Sequence, residues 1–194
     1  MRRNKGKARA KATTNSLRII GGRWRSRKLN FISAEGLRPT PDRVRETLFN
    51  WLQGNIAQAH CLDLFAGSGA LGLEALSRGA SSLIFVEKNR AAAKQLSQNL
   101  ALLKAKDSVE NTDAQSYLQT AKKPFDIIFL DPPFRKNLLP NILDSIIKQQ
   151  LLKPEGLIYL EHEAEESYHW QDWGLVELKA TKAGQVRSML LALA

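Results

Sequence analysis

The sequence predicts an α/β fold: a mostly parallel sheet of seven strands, its last hairpin antiparallel, with a small N-terminal β-hairpin and helix extension. Three observations predict it. From residue 60 onward, short apolar runs alternate with amphipathic helical stretches, the pattern of right-handed βαβ units. The first of those runs leads into a glycine-rich turn, Ala66-Gly-Ser-Gly69. The last two β-rich segments are joined only by Ala183-Gly184, which leaves no room for a crossover helix, so they pair antiparallel.

The elements follow in order. Residues 1–16 hold six Lys/Arg and no acid, and are expected to be a disordered basic tail. Residues 17–32 (LRIIGGRWRSRKLNFI) mix β-branched and aromatic residues around a Gly-Gly pair and read as a short hairpin. Thr40-Pro41 reads as an N-cap followed by proline at the first helical position. Val44, Leu48, Trp51 and Leu52 then share one face of a helix over about 41–53.

Cys61–Phe65 is a buried strand and Leu71, Leu73 and Leu76 lie on the helix after the turn. Ser82–Glu87 is the second strand, and Ala92, Leu96, Leu100 and Leu103 face the next helix. A weak strand over 107–112 and a short helix over 114–121 follow. Phe125–Asp131 is apolar enough to be buried on both faces. Leu139, Ile142, Leu143 and Ile146 define a helix, and Leu157–Glu161 is the fifth strand of the sheet. Residues 163–172 read as a solvated loop or short helix, and strands over about 173–180 and 185–192 complete the sheet. The domains are thus a tail over 1–16, an extension over 17–53 and an α/β domain over 54–194.

The charge is uneven. The 194 residues carry a net +10, but residues 1–45 hold 14 Lys/Arg against two acids and the rest is slightly acidic. A basic segment on a near-neutral domain points to a polyanionic partner, above all nucleic acid. In the hairpin, Arg23, Trp24, Arg25, Arg27 and Lys28 interleave charge with an aromatic, a set that grips phosphates and stacks a base. Arg38 and Arg43 extend it.

Other classes are excluded. The apolar content, 43% of residues, is too high for a disordered chain. No run of about 18 apolar residues exists to span a membrane. A lone cysteine, Cys61, excludes an intrachain disulfide, fits a reducing cytoplasmic setting and reads as a core residue. Three histidines show no metal-ligand spacing, so no metal is expected. No separate dimerisation element is visible, so a monomer is expected.

Two motifs carry chemistry. In the first, Asp63 precedes the turn Phe65-Ala66-Gly67-Ser68-Gly69, where glycines permit a tight turn and close approach of a ligand. Glu87, next to Lys88, ends the second strand 24 residues on, where such folds bind ribose hydroxyls. The run Gly67-x-Gly69-x-x-Gly72 leaves a dinucleotide open by spacing. Asp63 argues against it, because a carboxylate there repels pyrophosphate but suits the ammonium group and sulfonium of S-adenosylmethionine. In the second motif, Asp131-Pro132-Pro133-Phe134 follows a central strand. Its prolines remove two donors, leaving acceptors beside an aromatic ring. That set suits a base with an exocyclic amine.

DLFAGSGALG, Glu87 and DPPF together resemble class I S-adenosylmethionine-dependent methyltransferases with a Rossmann-like sheet, in the branch that methylates exocyclic amines of bases. RIIGGRWRSRKL at 18–29 and RPTPDRVRETLFNWL at 38–52 narrow the resemblance to the bacterial RsmD family, over about residues 17–192. The resemblance implies transfer of a methyl group to N2 of one guanine of 16S ribosomal RNA, position 966, within the small ribosomal subunit or its precursor. It implies that Asp63, Gly67 and Gly69 hold the methionine end of the cofactor, Glu87 the ribose, and Asp113 with Ala114 the adenine. Asp131 and the Pro132 carbonyl would hold the guanine amine with Phe134 stacked on the base. Thr40 to Arg45 would close over the cofactor or target phosphates. Two rival readings stay open on the sequence alone: an amino-methyltransferase acting on adenine N6 or cytosine N4 of DNA or on a protein glutamine, and a non-catalytic RNA-binding assembly factor. No target-recognition domain of a DNA enzyme is expected at this length.

Overall fold

A computed structural model describes residues 14–32 and 40–194. Most of the basic tail, and Arg38, lie outside the described residues. The chain runs β1 (Thr14–Arg18), a 3-10 turn (Gly22–Trp24), β2 (Lys28–Ile32), α1 (Asp42–Trp51), β3 (His60–Asp63), α2 (Ala70–Ser77), β4 (Ser82–Val86) and α3 (Arg90–Leu103). It continues with β5 (Ser108–Glu110), α4 (Ala114–Thr120), β6 (Phe125–Leu130), α5 (Leu139–Lys148) and β7 (Leu152–Glu163). A 3-10 turn (Trp170–Trp173), β8 (Leu175–Ala183) and β9 (Val186–Leu193) close it.

The seven-stranded sheet has the order β5-β4-β3-β6-β7-β9-β8. Its first five strands are parallel, and β9 runs antiparallel to both β7 and β8. Strand order reverses between β3 and β6. Loops leaving those two strands therefore part to opposite sides and open a crevice at their carboxyl ends. One face of the sheet packs on α1, α2, α3 and the N-terminal hairpin through Leu48, Phe49, Leu73, Phe85, Phe129 and Tyr159. The other packs on α4 and α5 through Leu118, Ile128, Leu130, Ile142 and Ile146.

Four boundaries differ from the sequence expectation. β1 begins at Thr14 and pairs with β2 from Thr14↔Ile32 onward, so residues 14–16 belong to the hairpin. Pro41 occupies the cap position of α1 with no side-chain cap bond. Thr40 turns its hydroxyl to Asp131 instead, at 3.4 Å. β7 starts at Leu152 rather than near 157, because Leu152 pairs with Phe125 across a register shift. Residues 163–172 are not wholly solvated. Trp170 is buried, its ring packed edge-on to His162 and tilted against Tyr168 and Trp173.

Candidate active site

The register of the parallel strands aligns a row of acids. Asp63 on β3 is level with Phe85 on β4 and Phe129 on β6, and Phe129 is level with Tyr159 on β7. Side chains alternate along a strand, so these four share one face. Two residues further on, Glu87, Asp131 and Glu161 carry the same face to the mouth of the crevice. Four carboxyl groups from four adjacent strands thus converge where the strand order reverses.

No cation among the described residues is bonded to Asp63, Asp131 or Glu161, and all three carboxyls are pushed up. Burial holds Asp63 up to about 7, helped by the charge of Glu87 and opposed by the Gly72 N–H. Burial also raises Asp131 well above the usual carboxylate range, with the charges of Glu161 and Asp63 adding and the Thr40 hydroxyl opposing. Burial raises Glu161, against the hydrogen bond from Tyr159. Desolvated acids without a counter-ion favour a positively charged ligand.

The loops between them are set by backbone bonds. Glu87 accepts the Gly67 N–H at 2.8 Å and the Asn89 N–H at 2.6 Å, tying the glycine turn to the end of β4. Gly67 and Gly69 have φ of +52° and +80°, left-handed conformations that favour glycine. Asp63 accepts the Gly72 N–H at 3.0 Å. A Cβ on Gly72 would lie 2.2 Å from the Phe85 ring, so helix α2 meets the sheet too closely for any other residue. Asp113 caps α4 through the Ser116 N–H, which lowers its carboxyl, and Lys88 is exposed beside Glu87. Asn111, which the motifs did not point to, donates to the Glu87 and Lys88 carbonyls and fixes that rim.

Pro132 is buried, while Pro133 and Phe134 are exposed. Phe134 keeps 42% of its surface open, ready to cover a flat ring. Beside it lies a shallow, open depression whose walls include Pro132, Glu161, His162 and Tyr168. The glycine turn, the acids and this depression fit S-adenosylmethionine next to a flat amine-bearing base.

The hairpin corrects two expectations. Trp24 is buried, 9% exposed, so its ring is not free to stack on a base. Its backbone N–H binds the Ser77 hydroxyl on α2, and the Arg23 guanidinium lies 4.2 Å over its ring. Arg45 is wholly buried rather than facing phosphates. It bonds Asp42 at 2.7 Å, the Arg18 carbonyl at 2.9 Å and Glu74 at 3.4 Å. Glu74, also buried, accepts the Ile20 and Gly21 N–H groups at 2.8 Å each. Gly22 sits so close to α2 that a Cβ would meet the Ser77 carbonyl oxygen. The Gly-Gly pair and the two ionised residues therefore dock the hairpin. Arg23, Arg25, Arg27, Lys28 and Arg43 remain exposed and form its basic outer surface.

The sheet order and the strand-end loops define the class: a class I, Rossmann-like methyltransferase fold. Residues 17–192 match the family model described as Conserved hypothetical protein 95. The chain is 49% identical over 176 residues to the Ribosomal RNA small subunit methyltransferase D of Escherichia coli, covering 89% of this chain and 88% of that relative. It superposes on the solved structure of the Escherichia coli protein yhhF with a TM-score of 0.82 and 47% identity, over 93% of this chain and all of that one. The fold alone is shared with the Thermus thermophilus 16S rRNA N2 G1207 methyltransferase, solved with AdoMet and guanosine (TM-score 0.67, 21% identity, 94% of this chain and 50% of that one). The chain belongs to this family, the RsmD family of S-adenosylmethionine-dependent methyltransferases.

Proposed function

We propose that the protein transfers a methyl group from S-adenosylmethionine to the exocyclic N2 of a guanine in 16S ribosomal RNA, position 966 in the family's scheme, within the small subunit or its precursor. The observation that carries this reading is the acid row joined to the DPPF loop. A sulfonium and an amine, both cationic in character during transfer, meet buried carboxyls. The name of the 49%-identical relative supplies the RNA.

When bound, S-adenosylmethionine supplies an already activated methyl group, so the protein's task is placement. Asp63, Gly67 and Gly69 hold the methionine end, with Phe65, Ala66 and Ser68 shaping the turn. Glu87 and Lys88 flank the ribose, and Asp113 and Ala114 the adenine. Thr40 holds Asp131 over the site. Asp131 and the Pro132 carbonyl accept the amine N–H bonds and turn its lone pair toward the methyl group. Asp131 stabilises the charge that develops on nitrogen. Phe134 stacks on the unstacked base, an interaction worth about 1–3 kcal/mol. Arg23, Arg25, Arg27, Lys28 and Arg43 bind RNA phosphates. Asp131→Ala is expected to abolish transfer while calorimetric binding of S-adenosylmethionine survives. Full turnover by that variant overturns its role.

A further inference from the structure

Glu161 is an ionisable group that the proposed function leaves unused. It is the fourth member of the acid row, on the last parallel strand. Cross-strand register sets it beside Asp131, since Leu160 pairs with Leu130 one residue earlier. Its side chain is 6% exposed. Tyr159, on the same face of β7, donates its hydroxyl to Glu161 Oε1 at 2.5 Å. Ser188 faces it from β9. Asp131 just after β6, Asp63 on β3 and Thr40 ahead of α1 complete its surroundings on this face. Among the described residues no Lys or Arg is bonded to it. A buried acid bonded to no cation costs stability.

We propose that Glu161 is a positioning residue of methyl transfer: its carboxylate, fixed by the Tyr159 hydroxyl, keeps Asp131 basic enough to take the amine proton. The inference rests on the amino-methyltransferase reading above. In the step, the N2 lone pair forms the N–C bond while the methyl C–S bond breaks and its electron pair stays on sulfur. The nitrogen is left positively charged with one proton too many. That proton passes from N2 to the Asp131 carboxylate and leaves to water with the product. Burial is the larger cause of the raised proton affinity of Asp131, and the charge of Glu161 beside it adds to that. Tyr159 acts one step further back, since its hydrogen bond favours the ionised form of Glu161.

The test is the pH profile of single-turnover methylation by the intact protein, on unmodified small subunits or 16S RNA, with S-adenosylmethionine saturating. In Glu161→Gln the acidic limb moves to lower pH by about one unit or more, the coupling expected of interacting acids, and the plateau rate falls. The S-adenosylmethionine dissociation constant stays unchanged. Tyr159→Phe moves the limb the same way by less. A limb that stays in place in Glu161→Gln, whatever the rate, overturns the proposal. If that variant does not fold, the ¹³C titration of the Asp131 carboxyl in Tyr159→Phe decides: a shift to lower pH supports the proposal and no shift overturns it. If the parent protein methylates an adenine or cytosine amine instead, the guanine reading fails, and the same limb comparison on that substrate still judges Glu161.

Discussion

Glu74→Ala removes the acceptor that docks the N-terminal extension on the sheet domain. In the folded protein its carboxylate serves four donors: the Ile20 and Gly21 N–H groups, Arg78 at 2.7 Å and Arg45 at 3.4 Å. Arg45 is wholly buried, and its remaining carboxylate partner, Asp42, is half exposed. Removing one member of a buried ion pair costs about 3–5 kcal/mol, because the other charge stays in the interior. At roughly 2–4 °C per kcal/mol for a chain of this size, the melting temperature falls by roughly 6–20 °C. Calorimetry measures it, and hydrogen exchange over residues 14–32 shows whether the hairpin opens first. The double variant Glu74→Leu/Arg45→Leu separates the causes. It removes both charges and regains the part due to the stranded guanidinium. The Ile20 and Gly21 N–H groups still lack an acceptor, at about 1–3 kcal/mol each, so it melts between Glu74→Ala and the parent. A Glu74→Ala protein melting within about 2 °C of the parent would refute the docking argument.

Three further outcomes follow from the site and the hairpin. Asp63 sits at about 7 in the folded chain against an ordinary 3.8, so between those values the folded state binds a proton that the unfolded state has lost. Stability therefore falls as pH rises through that window, and Asp63→Asn removes the share of the slope due to Asp63, leaving that of Asp131 and Glu161, which urea midpoints measured across the window check. Binding of S-adenosylmethionine tightens as Asp63 ionises toward pH 7 and loses that dependence in Asp63→Asn; a parent whose affinity is flat with pH contradicts it. Replacing Arg23, Arg25 and Arg27 by glutamate weakens RNA binding and lowers the salt slope by about one for each phosphate no longer neutralised, with the cofactor dissociation constant unchanged. A constant slope places the RNA elsewhere.

How much of this was legible in the sequence depends on how local the signal is. The strand–turn–helix at Asp63 to Gly72, the acid closing β4 and the DPPF loop closing β6 are contiguous motifs, and each stands where its pattern places it. The antiparallel pairing of β8 with β9 followed from loop length alone. The docking of the hairpin was not legible, since Trp24 and Ser77 are 53 residues apart and Arg45 and Glu74 are 29 apart. Arg45 and Trp24 looked like a basic, aromatic surface because charge and aromaticity do not announce their partners. One clue is local: Glu74 is a lone acid in the otherwise apolar helix ALGLEALS, and all eight residues of that helix are buried. Glu161 was hidden for a related reason. It closes the apolar run of β7, and only the register with β6 brings it beside Asp131.

The reaction proposed for this site is methylation of guanine N2 in small-subunit ribosomal RNA. The most direct measurement is nucleoside mass spectrometry of 16S RNA from cells lacking the protein, from those cells supplied with it, and from those supplied with Asp131→Ala. One N2-methylguanosine is expected to disappear with the protein, to return with the parent sequence and not to return with the variant. A methyl group missing from an adenine or cytosine amine, or an unchanged RNA, would contradict it.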